Sequence, residues 1–268
     1  MPRHEVPACS PRRIGTPQPL VTGAFRRMIG LLLAAAALGP VAAQSSVLGF
    51  GQQWFDSAWA NATNFIDVDT SSYFTVARRT DGSFVAWGDN GYGQCSIKAM
   101  PPGVSCLQAA AAISHGIARR SDGVVVAWGS NTYGQCTVPS LPGFCVDVRA
   151  AGEHSLALLS NGTLVAWGRN LNGQCNVPSL APLVIYTQAA AGRSHSLALR
   201  SDGLIAAFGS NQSSQCIVPT LPPGLTYTAI EAVGNSHAIV RRSDAVLLGF
   251  GANSSGQCDV PALPPGLS

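Results

Sequence analysis

The chain has 268 residues, of which 46% are hydrophobic and only 11% charged, a composition that excludes intrinsic disorder. The formal net charge of +3 sits in residues 1–43, which hold five arginines and one acid and leave 11 basic against 12 acidic residues in 44–268. A body so close to neutral lacks the clustered cation that holds phosphates, which argues against a nucleic-acid partner.

In chain order, residues 1–27 are rich in proline and arginine. Arg26-Arg27-Met28 leads into the apolar run Ile29–Leu38, then Gly39-Pro40 and Val41-Ala42-Ala43. A basic start, a short apolar stretch and a small-residue exit describe a secretory signal, with cleavage expected after Ala43. The run is shorter than the roughly 20 apolar residues of a membrane span. Residues 1–43 are therefore expected to be a leader, with the signal at about 28–43. The mature protein is expected to be secreted or periplasmic, with no stable membrane anchor after cleavage. Met28 is a second candidate start. One lysine, Lys98, beside fifteen arginines is the bias of a GC-rich bacterial genome.

Residues 44–268 form one expected domain of repeats. Val47–Gly51 (VLGFG) matches Leu247–Gly251 (LLGFG), so 44–64 reads as a degenerate first unit, with Trp54 and Trp59 in place of the later ending. Regular units then run over 65–268, each carrying a motif of the type Val126-Ala-Trp-Gly-Ser-Asn-Thr-Tyr-Gly-Gln-Cys136. Its aromatic residue is Trp87, Trp128, Trp167, Phe208 or Phe250, at intervals of 41, 39, 41 and 42 residues. Such a period marks units that bury their apolar faces only by stacking on neighbours.

Within a unit the period is two. In His195-Ser-Leu-Ala-Leu-Arg200, His195, Leu197 and Leu199 take one face and Ser196, Ala198 and Arg200 the other. An Asp-Gly or Asn-Gly turn follows at Asp81, Asp122, Asn161 and Asp202, then a second apolar strand, which predicts type I′ hairpins. Asp244-Ala245 departs from that pattern, and alanine at positive φ costs about 1 kcal/mol. A third strand of small residues precedes each histidine, as in Tyr186–Ala191, and suits the crowded inner edge of a blade; the Trp or Phe is expected to wedge between blades. No stretch after the leader has helical periodicity. The expected fold is an all-β β-propeller of about six blades, with seven or an incomplete ring as alternatives, each blade of three to four strands.

The small-residue strand, His-Ser-Leu-Ala-Leu, Asp-Gly and Val-Ala-Trp-Gly-x-Asn-x-x-Gly-Gln together resemble the repeat of the regulator of chromosome condensation superfamily. The short bacterial form, similar to the repeats of beta-lactamase inhibitory protein II, is closer still. The resemblance implies a propeller ring of seven blades, more than this chain can supply, so Val47–Gly51 is a candidate strand for clasping the last blade. It does not imply one function, because this fold hosts several.

His115, His154, His195 and His237 occupy equivalent positions, with Phe74 in the first unit. Zinc needs ligands at about 2.0–2.1 Å, closer than successive blades allow, so these are read as hydrogen-bonded structural histidines. Among the repeat cysteines, Cys95 lies near Cys106 and Cys136 near Cys145, and only those two units carry the extra cysteine; two small-loop disulfides, or free thiols, are both open. Arg78-Arg79, Arg119-Arg120 and Arg241-Arg242 read as solvated hairpin ends beside Asp81, Asp122 and Asp244.

Every notable His, Ser and Asp is copied unit by unit, whereas a catalytic site needs one asymmetric cluster, so no enzyme activity, metal or cofactor is expected. What varies is two loop sets, before the histidine and after Trp/Phe-Gly. Within them Tyr92, Tyr133, Glu153, Arg169 and Arg193 are the candidate partner-binding residues, since Tyr and Arg favour interface hot spots. The leading expectation is a secreted, non-catalytic protein-binding scaffold. Inhibition of an extracellular or periplasmic enzyme is the alternative; an enzyme with an axial or pocket site is a third reading, which requires a deep asymmetric pocket, and a nucleotide-exchange regulator is disfavoured.

Overall fold

The computed structural model describes residues 64–261. The leader (1–43), the degenerate unit up to residue 63 with the Val47–Gly51 segment expected to clasp the last blade, and 262–268 lie outside the described residues.

Among the described residues, fifteen strands form five three-stranded antiparallel sheets, each from consecutive strands, as expected of stacked repeats. Blade 1 comprises β1 (Phe65–Thr70), β2 (Phe74–Arg79) and β3 (Phe84–Gly88), and blade 2 comprises β4 (Cys106–Ala111), β5 (His115–Arg120) and β6 (Val125–Gly129). Blade 3 holds β7 (Cys145–Ala151), β8 (His154–Leu159) and β9 (Leu164–Gly168). Blade 4 holds β10 (Tyr186–Ala191), β11 (His195–Arg200) and β12 (Ile205–Gly209); blade 5 holds β13 (Tyr227–Val233), β14 (His237–Arg242) and β15 (Leu247–Gly251). The repeat is therefore a β-propeller blade of three strands, not four.

The core is divided rather than single. Four apolar clusters each draw on two successive blades; Ile117 and Val125 of blade 2, for example, pack with Val148, Ala157 and Trp167 of blade 3. This is why the middle strands are not two-faced as their alternation predicts. β8 is buried at all six positions, because a neighbouring blade covers each side.

The hairpin turns correct the type I′ expectation. Arg79 N–H donates to Ser83 O (2.8 Å) and Gly82 N–H to Arg79 O (3.0 Å), so Thr80-Asp81-Gly82 is a three-residue loop. Only its last residue has positive φ, 80° at Gly82 and 67° at Ala245. That is a type I turn closed by a bulge residue. Aspartate is selected for another reason: Asp81 Oδ1 accepts the Ser83 N–H (2.8 Å).

Neighbouring blades are tied by a repeated clasp. Ser155 Oγ of blade 3 donates to Gln135 O of blade 2 (3.2 Å) and therefore accepts from His115 Nε2, 3.0 Å away. Ser196 of blade 4 does the same between Gln174 O (2.9 Å) and His154 Nε2 (2.9 Å). Both imidazoles thus carry their proton on Nε2. The wedge aromatic adds a third donor: Trp128 Nε1 reaches Gln94 O (2.7 Å) and Trp167 Nε1 reaches Gln135 O (3.0 Å). The glycine after the aromatic is obligatory, since a Cβ on Gly129 would lie 2.5 Å from Ser114 O.

All seven described cysteines are free thiols, so the two disulfides are not formed. The extra cysteines fill a repeat slot instead. Cys106 and Cys145 open their inner strands where Phe65, Tyr186 and Tyr227 open the others. In that slot Tyr186 donates to Pro178 O (2.7 Å), while Cys106 is 1% exposed and burial pushes its thiol up to about 11. Cys95 and Cys136 donate to the carbonyls of Asp89 (3.2 Å) and Ser130 (3.1 Å).

Candidate functional site

The motif after each wedge aromatic builds a stiff loop from its own side chains. Asn131 Oδ1 accepts the Cys136 N–H (2.8 Å), and Gln135 Oε1 accepts the Tyr133 N–H (2.8 Å). The same pair of bonds recurs in the other four units. Gln, Asn and Cys are thus scaffold, and the residues between them are displayed.

The two variable loop sets meet at one end of the blades. Asp89, Ser130, Arg169, Ser210 and Ala252 each donate their backbone N–H to the carbonyl of Tyr73, Ser114, Glu153, Ser194 or Ser236, at 2.8–2.9 Å. Successive blades abut here, as the Gln135 side chain of blade 2 lies against Gly168 of blade 3. The result is one continuous loop face.

On that face the structure brings three predicted residues together across a blade boundary. Arg169 Nη1 donates to Glu153 Oε2 (2.6 Å), and its guanidinium carbon lies 5.1 Å from the Tyr133 ring centroid. The Glu153 hydrogen bond raises the arginine's pKa, so its charge is permanent. Tyr133 remains 42% exposed. The stack and the ion pair hold a rotamer-rich side chain in place before any partner arrives, which is preorganisation.

This arrangement disturbs the scaffold. In blades 1, 2 and 4 the loop glutamine donates Nε2 to the side chain of Asp89 (2.9 Å), Ser130 (3.3 Å) or Ser210 (3.2 Å). In blade 3 that residue is Arg169, which accepts nothing, and buried Gln174 Nε2 has no partner. Leaving a buried donor unmade costs about 1–3 kcal/mol. In blade 5 the position is Ala252 and Gln257 also lacks this bond, but it is half-buried; Gln174 is the one described loop glutamine whose unpaired amide is buried.

The remaining two candidates flank the cluster. Tyr92 stands on blade 1, 64% exposed; Leu171, which sequence reasoning passed over, is 75% exposed on blade 3. Arg193 on blade 4 is exposed, and its backbone carbonyl lies against Gly152. It lines a cavity of about 310 Å³ around which all five inner strands converge, with Asp69, Arg149 and Gln188 also in the wall. Arg149 is held by Asp147 (2.9 Å), and Gln188 is used up bridging to Ile230 N and O of blade 5 (2.8 and 2.9 Å). Of the paired arginines at the opposite end, Arg120 and Arg242 each pair with the aspartate two residues on, as the single Arg200 does, but with side chains only 16% and 18% exposed they are half-covered rather than fully solvated.

Comparison with known proteins agrees with this geometry. The model of the regulator of chromosome condensation (RCC1) repeat matches residues 65–94, 113–135, 146–174 and 186–215. No curated protein sequence matches the chain. Among solved structures, Prp20p of Saccharomyces cerevisiae, described with its binding to Gsp1p and histones, is similar at 22% identity and a TM-score of 0.63, over 75% of this chain and 60% of that one. Human WBSCR16 follows at 18% and 0.58 over 70% and 62%, and the ectodomain of the Arabidopsis thaliana receptor kinase ACR4 at 21% and 0.53 over 70% and 66%. The chain thus spans about three fifths of the length of the yeast and human structures, and at these identities the likeness concerns the fold.

Proposed function

This chain carries regulator of chromosome condensation repeats on a β-propeller scaffold, and we propose that it is a secreted, non-catalytic module that grips a protein partner with its loop face. The observation that carries the reading is Arg169. It stands where Gln174, alone among the described loop glutamines, is left with a buried side-chain amide lacking its partner, and what occupies the acceptor's position is an arginine stacked on an exposed tyrosine. Local departures from scaffold rules concentrate at sites of function. Secretion rests on the expected signal at about 28–43, and the partner's class on the Tyr/Arg character of the cluster.

The test is affinity capture from the extracellular fraction with the wild type and with Tyr133→Ala/Arg169→Ala. One protein retained by the wild type and lost by at least about tenfold in the variant supports the reading, since anchors of this type are worth more than about 1 kcal/mol each. Equal capture by both places the contact elsewhere. Inhibition of an extracellular or periplasmic enzyme is a narrower form of the same reading, favoured by the prior fixing of Arg169. It requires that the captured partner be a hydrolase whose activity falls on binding.

A further inference from the structure

The opposite end of the blades carries an outlier that the loop-face reading does not use. The connector entering blade 2 turns through Pro101-Pro102-Gly103-Val104, and the one entering blade 5 through Pro222-Pro223-Gly224-Leu225. In both, the fourth residue's N–H donates to the first residue's carbonyl (3.0 and 3.2 Å), and the glycine has φ of 76° or 80°. These are type II turns, whose third position calls for glycine. The connector entering blade 4 makes the same turn, Ala181-Pro182-Leu183-Val184 (3.1 Å), with leucine in the glycine's place at φ 68°. Leu183 is 100% exposed. A residue that strains the backbone and leaves its whole apolar side chain in water is doubly unfavourable for the isolated monomer.

Leu183 stands on an apolar end. Connector and hairpin turns interlock there: Ser160 N–H donates to Phe144 O (2.8 Å), Tyr186 N–H to Gly162 O (3.0 Å) and Ser201 N–H to Ile185 O (2.8 Å). Val124 (46%), Phe144 (49%), Ile185 (43%) and Leu204 (45%) are exposed along this line. Beside it, where the next connector enters blade 5, lies an open recess of about 380 Å³ walled by Thr187, Leu199, Tyr227 and Thr228 with the Arg200–Asp202 pair at its rim. A knob and a recess thus share one end of the molecule, on neighbouring connectors. Its charges are self-complementary, because Arg120, Arg200 and Arg242 each carry their own aspartate and two such ends meet without net repulsion.

We propose that this end pairs with a second copy of the chain about a twofold axis, Leu183 of each copy seating in the Thr187–Tyr227 recess of the other. An isologous contact requires that one surface hold both halves of the fit, as this one does. The pairing is independent of the loop-face proposal and leaves both loop faces outward, where two linked sites would raise avidity for a partner carrying repeated epitopes.

Sedimentation velocity of the full chain over a concentration series tests it. The wild type is expected to shift from monomer to dimer at roughly 1–100 μM. Leu183→Gly restores the residue the turn calls for, so it is expected to raise the melting temperature while weakening the dimer by at least about tenfold. Thr187→Trp, at a position where three of the other inner strands place Ile66, Leu107 and Val146 and blade 5 places Thr228, fills the recess and is expected to weaken it likewise. A wild type that stays monomeric throughout overturns the proposal, as does a Leu183→Gly protein that dimerises like the wild type. A monomer that sediments with phosphatidylcholine vesicles only while Leu183 is present also overturns it and assigns the knob to lipid.

Discussion

The contact between blades 3 and 4 and the contact between blades 4 and 5 are made from the same positions with different chemistry. In the first, His154 donates to the Ser196 hydroxyl, which in turn donates a hydrogen bond to Gln174 O. In the second, the serine's place is taken by Ala238, while the wedge residue is phenylalanine at both contacts, Phe208 and Phe250. His195, 0% exposed, has neither ring nitrogen hydrogen-bonded. Apolar packing persists at both contacts, as Leu197, Tyr227, Ile230 and Phe250 form one cluster. Burial therefore sets where the blades go, and the clasp sets how firmly a given pair holds. Blade 1 shows the consistent way to lose the clasp: Phe74 replaces the histidine and Gly116 the following serine, so no polar group is stranded.

That difference can be broken at either contact. The largest effect is expected at the neighbouring contact between blades 2 and 3, where Trp167→Ala empties a site 8% exposed and removes the bond to Gln135 O; it should cost about 3–5 kcal/mol by chemical denaturation. Ser196→Ala converts the intact contact into a copy of the defective one and should cost about 1–3 kcal/mol, because His154 is left unpaired. Ala238→Ser is the reverse experiment and should return about 1 kcal/mol. The smallest effect is expected for Ala245→Gly, a gain of about 1 kcal/mol or less from relief of the positive φ of 67°.

Acidity probes all three buried histidines together. Burial, with a smaller contribution from the next histidine along, pushes His115 down to about 3 and His154 and His195 to about 4, from an ordinary 6.5. Above pH 6.5 both folded and unfolded chains keep these rings neutral. Between about 6.5 and 4 only the unfolded chain takes up the protons, so stability falls as pH falls. The turn aspartates Asp122 and Asp244, held low by their arginines, add their loss only below the ordinary carboxylate value of 3.8. A melting temperature that declines by several degrees from pH 7 to 4.5 is expected; a flat profile there would contradict the buried, neutral imidazoles.

Much of this was legible in the sequence because repetition averages over local accidents. The Trp/Phe-Gly spacing and the alternation of β strands predicted the blades, and the unrepeated Tyr133, Glu153 and Arg169 pointed to the loop face. What failed was whatever depends on a neighbour. The Asp-Gly pair predicted a two-residue turn, because only the flanking hydrogen bonds reveal the third loop residue. Cys106 and Cys145 looked like additions until the strand register showed them in the slot of Tyr186 and Tyr227. Leu183 was missed, though aligning Pro182-Leu183 with Pro102-Gly103 and Pro223-Gly224 carries the signal.

Amide hydrogen exchange read strand by strand, on the wild type and on Ala238→Ser, tests the clasp most directly. The expected result is that β14 and β15 exchange at least about tenfold faster than β8 and β9 in the wild type, and that the added hydroxyl slows β14 and β15 without touching β8 and β9. Equal protection of the two blades in the wild type, or a gap that Ala238→Ser leaves unchanged, would show that the histidine–serine bond does not govern how tightly successive blades are held.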